Sequence, residues 1–226
     1  MPSITERMAS LFRGKEEVKN IERFSTSAQE ALRKRGYLIY QLQGKSLKEL
    51  HKQTGQPTFK GMVLQKLVSD DRVWVKLNAP PILRWGFGIF ATEAAINPNQ
   101  LFLPNSADKS FKYHQGMVRT FSQEISNEIP DVKAVIGEAS HYVELALMYR
   151  VTTGRSLFGE GNEFRFTATR TSYGKPYEES ESYEKQSLVK VGEDSDGIRC
   201  FEYYLGTWGN YNTWIIPLIV PVGVPD

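Results

Sequence analysis

The residues best suited to acid–base chemistry are Glu138 and His141, which lie three positions apart. Residues with this spacing share one side of a helix, so a carboxylate and an imidazole could act together on a bound substrate. A structural interpretation competes with catalysis. A glutamate at a helix start interacts favourably with the helix dipole, and a histidine there covers the first turn. The pair therefore defines a candidate catalytic site and also a candidate helix start.

Metal chemistry has less support in the sequence. A dinuclear carboxylate site in a helical bundle needs the Glu-x-x-His motif twice. The motif occurs at Glu138, whereas His51 and His114 have no glutamate three residues before them. One histidine also supplies few of the ligands that a single transition metal usually binds. We therefore assign no metal, and the cofactor is left unknown.

Polar residues that could orient a ligand follow short segments with the pattern of strands. Those segments are 101–103, 132–136 and 156–158, and the polar residues after them are Asn105, Ser106, Ser140, Glu160 and Asn162. In an open parallel sheet, ligands bind beyond the carboxyl ends of the strands. We therefore predict that these residues contribute to a ligand site.

The spacing of apolar residues predicts the helices and strands that would position these residues. Residues 132–136 form a short apolar run before Gly137, as in a buried strand. Residues 141–153 have apolar side chains at helical spacing on more than one side, and Gly154 is expected to end that helix in the left-handed conformation. A longer helix is predicted from about 110 to 128, with a buried stripe at Phe111, His114, Val118, Phe121 and Ile125.

The predicted fold class is mixed α/β, with helices packed on a mixed sheet in two or three layers. A strand, a helix and a strand in succession favour a crossover unit, so the strands near 101–103, 132–136 and 156–158 are predicted to be parallel in the middle of the sheet. Shorter strands separated by Gly, Asp and Asn turns predict antiparallel pairing towards the C-terminus. Residues 1–36 are predicted to form a helical segment packed on a single domain of residues 37–226.

Gly44-Lys45-Ser46 stands between a strand-like run and a helix, as in a phosphate-binding loop. The full loop needs another glycine five positions before Gly44, so that backbone amides can wrap the phosphates. That position is Ile39. Nucleotide binding is therefore disfavoured, and a helix cap by Ser46 explains the same residues.

Composition sets the remaining limits. The chain has 226 residues, a net charge of +2, a pI near 8.5 and one cysteine, Cys200. These values give no strong field for nucleic acid or a membrane surface, and one cysteine fits a reducing compartment. The longest apolar run, 214–222, contains two prolines and is too short to span a membrane. We expect a soluble cytoplasmic protein without membrane contact.

Three functional hypotheses remain open. The favoured one is a module that binds a small molecule or a protein partner through the loops after its parallel strands. The second is an enzyme for a small molecule or phosphoester that uses Glu138 and His141. The third is nucleic-acid binding through basic and aromatic side chains, namely Arg33–Arg35, Arg165, Arg170, Tyr203, Tyr204, Trp208, Tyr211 and Trp214. That aromatic cluster could equally close a hairpin by cross-strand pairing. The oligomeric state is left open.

Overall fold

The structure is a computed structural model that describes residues 22–45, 47, 49–50, 92–159, 165–173, 187–194, 197–204 and 212–224. The helices in these ranges are α1 (Thr26–Lys34), α2 (Phe111–Glu128) and α3 (Ala139–Thr153), and Pro98–Gln100 forms a short 3₁₀ helix. The strands are β1 (Leu38–Leu42), β2 (Thr92–Ile96), β3 (Val132–Val135), β4 (Phe166–Tyr173), β5 (Ser187–Asp194), β6 (Gly197–Tyr204), β7 (Thr213–Trp214) and β8 (Leu218–Pro221). None of the helices in these ranges has the length and apolar character needed to cross a membrane.

The strands form two mostly antiparallel sheets. The first sheet has the order β1-β2-β8-β3, and every neighbouring pair in it is antiparallel. The second sheet has the order β6-β5-β4-β7, in which only the short β4–β7 pair is parallel. The prediction of a mixed fold with antiparallel strands towards the C-terminus is confirmed.

The predicted parallel centre is not confirmed. Residues 132–135 form a strand, but β3 pairs antiparallel with β8, which enters the sheet between β2 and β3. Residues 101–103 and 156–158 lie outside the strands. Leu157 and Phe158 are instead anchored by burial of their side chains in the core, and Leu103 donates a main-chain hydrogen bond to Ile215 at 3.0 Å. The crossover unit fails because the late strand β8, distant in sequence, takes the position beside β3.

Helix α3 packs between the two sheets. Its first nine residues, Ala139–Leu147, are all buried. The same core cluster contains residues from the first sheet, such as Leu42, and from the second, such as Val191. A helix that is apolar on all sides requires such cover, because each exposed face would leave apolar surface in water. Gly154 ends α3 with a φ of 74°, as the sequence predicts.

Helices α1 and α2 cover the other face of the first sheet. Because successive strand side chains alternate between faces, Ile219 packs in the cluster with α1 and α2, while Leu218 faces α3. The predicted α2 helix is confirmed, with Ser110 as its N-cap and with buried residues His114, Val118 and Ile125. Residues 1–21 lie outside the described ranges, and the division of the chain at residue 36 remains a prediction.

Candidate functional site

Glu138 and His141 are brought together at the start of α3. Glu138 is the N-cap, and the two residues form a capping box. The backbone N–H of Glu138 donates to Nδ1 of His141 at 3.2 Å, and His141 is 3% exposed. Such an arrangement satisfies backbone donors that a helix start leaves without intrahelical partners. The geometry therefore gives both residues a structural task, which is the alternative interpretation of this pair.

Glu144, one turn further along α3, is a second carboxylate on the same side of the helix start, and it was not among the predicted site residues. Its side chain is 0% exposed, and its Oε1 accepts a hydrogen bond from the N–H of Gln43 at 2.9 Å. Burial raises the pKa of Glu144 to about 7, although the N–H groups of Gln43, Gly44 and Lys45 and the charge of Lys45 lower it. Gly44 and Lys45, which belong to the sequence that resembles a phosphate-binding loop, thus face the carboxylate of Glu144.

The predicted ligand residues near the first sheet also bind main chain. Ser106 is buried, and its hydroxyl donates to Leu103 O at 2.6 Å and accepts from Ile215 N at 3.3 Å. His114 is likewise buried, and its Nε2 lies 2.8 Å from Ser106 O. Burial lowers the pKa of His114, and that hydrogen bond opposes the shift. These contacts fasten the loop before α2 to the segment between β7 and β8.

The other predicted residues occupy separate places. Asn105 is exposed and has a φ of 60°, a left-handed turn conformation that asparagine tolerates. Ser140 is 4% exposed on α3, and its hydroxyl has no hydrogen-bond partner within the described residues.

Several predicted residues lie outside the described part of the chain. These are Glu160, Asn162, Trp208 and Tyr211, together with the side chains of Arg170, Tyr203 and Tyr204. In the ranges that the structure covers, no group of three or more His, Cys, Asp or Glu side chains could hold a metal ion.

A groove runs along α2 among the described residues. It has a volume of about 1050 Å³ and lies between α2 and residues 97–104, with Tyr37 and Pro217 also in its wall. Its apolar wall is formed by side chains of Tyr37, Leu101, Phe102, Leu103, Pro104, Tyr113, Met117, Phe121 and Pro217, and its polar rim by those of Asn97, Asn99, Gln100, Ser110, Lys112, Thr120 and Glu124. Apolar walls with a few polar groups are typical of binding sites.

Gly116 lies in the groove wall, in the middle of an 18-residue helix. A glycine there costs the helix about 1 kcal/mol relative to alanine. A Cβ atom at this position would meet no atom within 4 Å, so packing in the described protein does not require a glycine. The missing side chain leaves the helix backbone open to close approach by a bound molecule.

A spacing on α2 could have indicated the groove. Tyr113, Met117 and Phe121 repeat every four residues and form a second apolar stripe beside the buried one. Tyr113 is 53% exposed, which is unusual for so large an aromatic side chain in a predicted core helix. The sequence interpretation assigned Phe121 to the buried stripe, and Phe121 is half-buried against the core while it also lines the groove.

Comparisons with protein-family profiles, with curated proteins and with solved structures find no match to this chain.

Proposed function

We propose that the protein is a binding module whose groove along α2 takes an extended segment of a partner protein. The observation that carries the proposal is the groove itself, with an apolar wall of aromatic, methionine and proline side chains on one helix and its facing loop. Methionine and aromatic side chains are adaptable or large contact surfaces, and both are enriched where proteins bind segments of partners.

The dimensions favour a polypeptide over a small metabolite. Lys112 and Glu124, at the two ends of the lining helix segment, lie about 18 Å apart along the axis at 1.5 Å per residue. An extended chain covers that length with about five or six residues. The volume of about 1050 Å³ also reaches the upper end of what small-molecule pockets occupy.

The geometry gives less support to an enzyme or to a nucleic-acid-binding protein. An enzyme that uses Glu138 and His141 would need both groups to reach a substrate, whereas His141 is buried and accepts a hydrogen bond from the Glu138 backbone. Nucleic-acid binding would need a continuous basic surface. Arg35 pairs with Glu128 at 3.3 Å, and Arg165 lies over aromatic rings. Placement in the cytoplasm, supported by the single cysteine, belongs to the same proposal.

The test is selection of a displayed library of random dodecapeptides on the wild-type protein. Selected peptides are then measured on Gly116→Trp, which places an indole in the groove where a Cβ meets no atom within 4 Å. Gln123→Trp is the matched control, because Gln123 is exposed on the same helix outside the groove. Peptides that bind wild type and Gln123→Trp, and that lose at least tenfold in affinity on Gly116→Trp, would support the proposal. Absence of enriched peptides, or equal binding to all three proteins, would overturn it.

A further inference from the structure

The outer side of strand β1 carries main-chain groups that β2 does not bind. β1 is an edge strand of the first sheet, and its Gln41 lies opposite Glu93 of β2. The N–H of Glu93 donates instead to the carbonyl of Glu22 at 2.8 Å, so Gln41 and Glu93 form a non-hydrogen-bonded pair. Because alternate residues of an antiparallel strand bond to the same side, the N–H and C=O groups of Ile39 and Gln41 point away from β2.

The residues that point the same way just before and just after this stretch bond within the chain. The N–H of Tyr37 donates to the carbonyl of Leu32 at 3.1 Å. The N–H of Gln43 donates to Oε1 of Glu144 at 2.9 Å. The outer side of β1 is therefore bounded at both ends by groups that already have partners.

Between these ends the outer side of β1 is open. In the described part of the chain, no residue bonds the N–H or C=O groups that Ile39 and Gln41 direct away from β2. Gln41 is exposed and Ile39 is half-buried. Leu38, at the start of the strand, is 37% exposed, which is high for a leucine. The edge thus offers two donors, two acceptors and an apolar side chain.

The opposite edge of the first sheet is closed by helix α2. The outward N–H of Ala134 on β3 donates to Oγ of Ser122 at 2.9 Å, and Oγ of Ser126 donates to the carbonyl of Val132 at 2.7 Å. Covering an edge with a helix is one of the ways in which proteins prevent strands of other chains from pairing with it. The protein therefore protects one edge of this sheet and not the other.

Strand β1 also lacks the other features that discourage pairing. Its sequence, Leu-Ile-Tyr-Gln-Leu, has no charged residue and no proline, and its register with β2 runs without a bulge. At the edges of the second sheet, β7 has only two residues, and β6 contains Arg199 and Glu202. Among the described edges, β1 is the one suited to pairing with another strand.

The open groups of β1 are complementary to themselves. In an antiparallel pairing about a two-fold axis at Tyr40, Ile39 of one copy lies opposite Gln41 of the other, and the two residues exchange N–H···O=C bonds in both directions. Two such pairs use every open group of Ile39 and Gln41 in both copies. Leu38 comes opposite Leu42 of the second copy, on the face where Tyr40 and Leu42 already pack in the core.

Charged groups beyond the ends of the strand do not oppose this register strongly. It brings Arg35 opposite Lys45 of the second copy. Nε of Arg35 lies 3.3 Å from Oε2 of Glu128, and Lys45 interacts electrostatically with Glu144, so each cation faces a carboxylate of its own copy. Salt and solvent screen the repulsion that remains between exposed side chains.

We propose that β1 pairs with β1 of a second copy of this chain and joins the two four-stranded sheets into one continuous sheet. A second copy is the occupant because the strand satisfies its own open groups about Tyr40. The contact is closed, since each copy uses its β1 edge once, and association stops at a dimer. A single short ladder is a small interface, so the dimer forms reversibly as the protein concentration rises. No residue of β1 lines the groove along α2, so the two surfaces are separate.

Gln41→Pro tests the ladder, with Gln41→Ala as the matched control. Proline removes the outward N–H, which the β1–β2 ladder does not use. Sedimentation of wild type and of Gln41→Ala should change from monomer to dimer with rising concentration, and Gln41→Pro should associate about tenfold more weakly, because both copies lose a hydrogen bond. A folded Gln41→Pro that associates like wild type, or growth beyond a dimer, would overturn the proposal. A wild type that stays monomeric at every concentration would also overturn it and would point to a strand of another protein as the occupant.

Disulfide cross-linking tests the register and decides the matter if Gln41→Pro does not fold. A mixture of Ile39→Cys and Gln41→Cys should form an interchain disulfide under mild oxidation, because opposing Cα atoms lie about 5.5 Å apart. Gln41→Cys alone should not, since the two copies of residue 41 are offset by two residues along the strands, beyond the reach of a disulfide. Cys200 is 2% exposed and does not compete. No cross-link from the mixture, or equal cross-linking by Gln41→Cys alone, would contradict the pairing.

Discussion

Glu144 is an acidic residue whose buried environment raises its pKa to about 7. It is fully buried, one carboxylate oxygen accepts a hydrogen bond from the Gln43 N–H, and the other oxygen has no hydrogen-bond partner among the described residues. A buried carboxylate in this position retains its proton more readily than one in water. Its protonation is therefore coupled to the stability of the fold.

The stability of the protein should depend on pH through Glu144. The pKa of this residue is about 7 in the folded protein and 4.5 ordinarily, so the folded state binds the proton more tightly than the unfolded state. The stability contributed by the proton is complete below pH 4.5 and is lost as the pH rises through 7. At about 1.4 kcal/mol per pH unit, the loss is about 3 kcal/mol.

Glu144→Gln should remove this component, because the amide keeps an oxygen for the Gln43 N–H and does not ionise. The pH dependence of the free energy of unfolding is measured by urea unfolding between pH 4.5 and 8. Glu30→Gln, at an exposed carboxylate of α1, should retain the wild-type dependence. A Glu144→Gln profile as steep as wild type would show that another group is responsible.

Helix α2 combines two tasks at the scale of an element. One stripe packs on the first sheet through Val118 and Ile125, and the next stripe lines the groove through Tyr113 and Met117. The helix is long and well capped by Ser110, so it can carry a glycine in its middle at a modest cost. The cost is explained if the groove, rather than the fold, requires Gly116.

Gly116→Ala should stabilise the protein by about 0.5–1 kcal/mol, because alanine loses less backbone entropy in a helix and its Cβ meets no atom within 4 Å. Gly137→Ala is the contrasting variant, since its Cβ would lie 2.5 Å from Leu218 Cδ1 and 3.2 Å from the Tyr142 ring. That overpacking should destabilise the protein by about 1–3 kcal/mol. Both changes are measured by urea unfolding. Destabilisation by Gly116→Ala would mean that the fold itself needs the glycine.

A polar link joins α3 to β5 of the second sheet. Arg150 on α3 forms an ion pair with Glu193 on β5, and Ser156 donates a hydrogen bond to the same carboxylate at 2.7 Å. The Glu193 side chain is 1% exposed, whereas that of Arg150 is 33% exposed. The carboxylate therefore depends on this pair for its charge to be tolerated in the interior.

Arg150→Met should destabilise the protein by about 2–3 kcal/mol, because it leaves the Glu193 charge buried without its cation; the partial exposure of Arg150 keeps the loss below that of a fully buried pair. Adding Glu193→Gln should restore most of that stability, since glutamine still accepts the Ser156 hydrogen bond. Arg155→Met, at an exposed arginine just after α3, serves as the control. Urea unfolding of wild type, Arg150→Met, Glu193→Gln and the double variant gives the coupling energy. Equal losses in the single and double variants would contradict the proposed dependence.

The features that the sequence could predict are those set by residues close together along the chain. The periodic apolar residues of 110–128 and 141–153 and the terminal Gly154 specify helices, because neighbours along a helix interact wherever the helix finally packs. The short strand near 132–135 and the absence of a complete phosphate loop followed from the same kind of pattern. The competing structural interpretation of Glu138 and His141 was also local, since both residues belong to one helix turn.

Only the tertiary structure decided which strands are neighbours and which side chains form a site. The antiparallel partner of β3 is β8, more than eighty residues later, and no local pattern contains that pairing. Glu144 meets Gln43 across a separation of 101 residues, and the groove combines α2 with Tyr37 and Pro217. Such contacts depend on the cooperative burial of the entire core, so they are settled when the chain has folded and not by the spacing of residues along it.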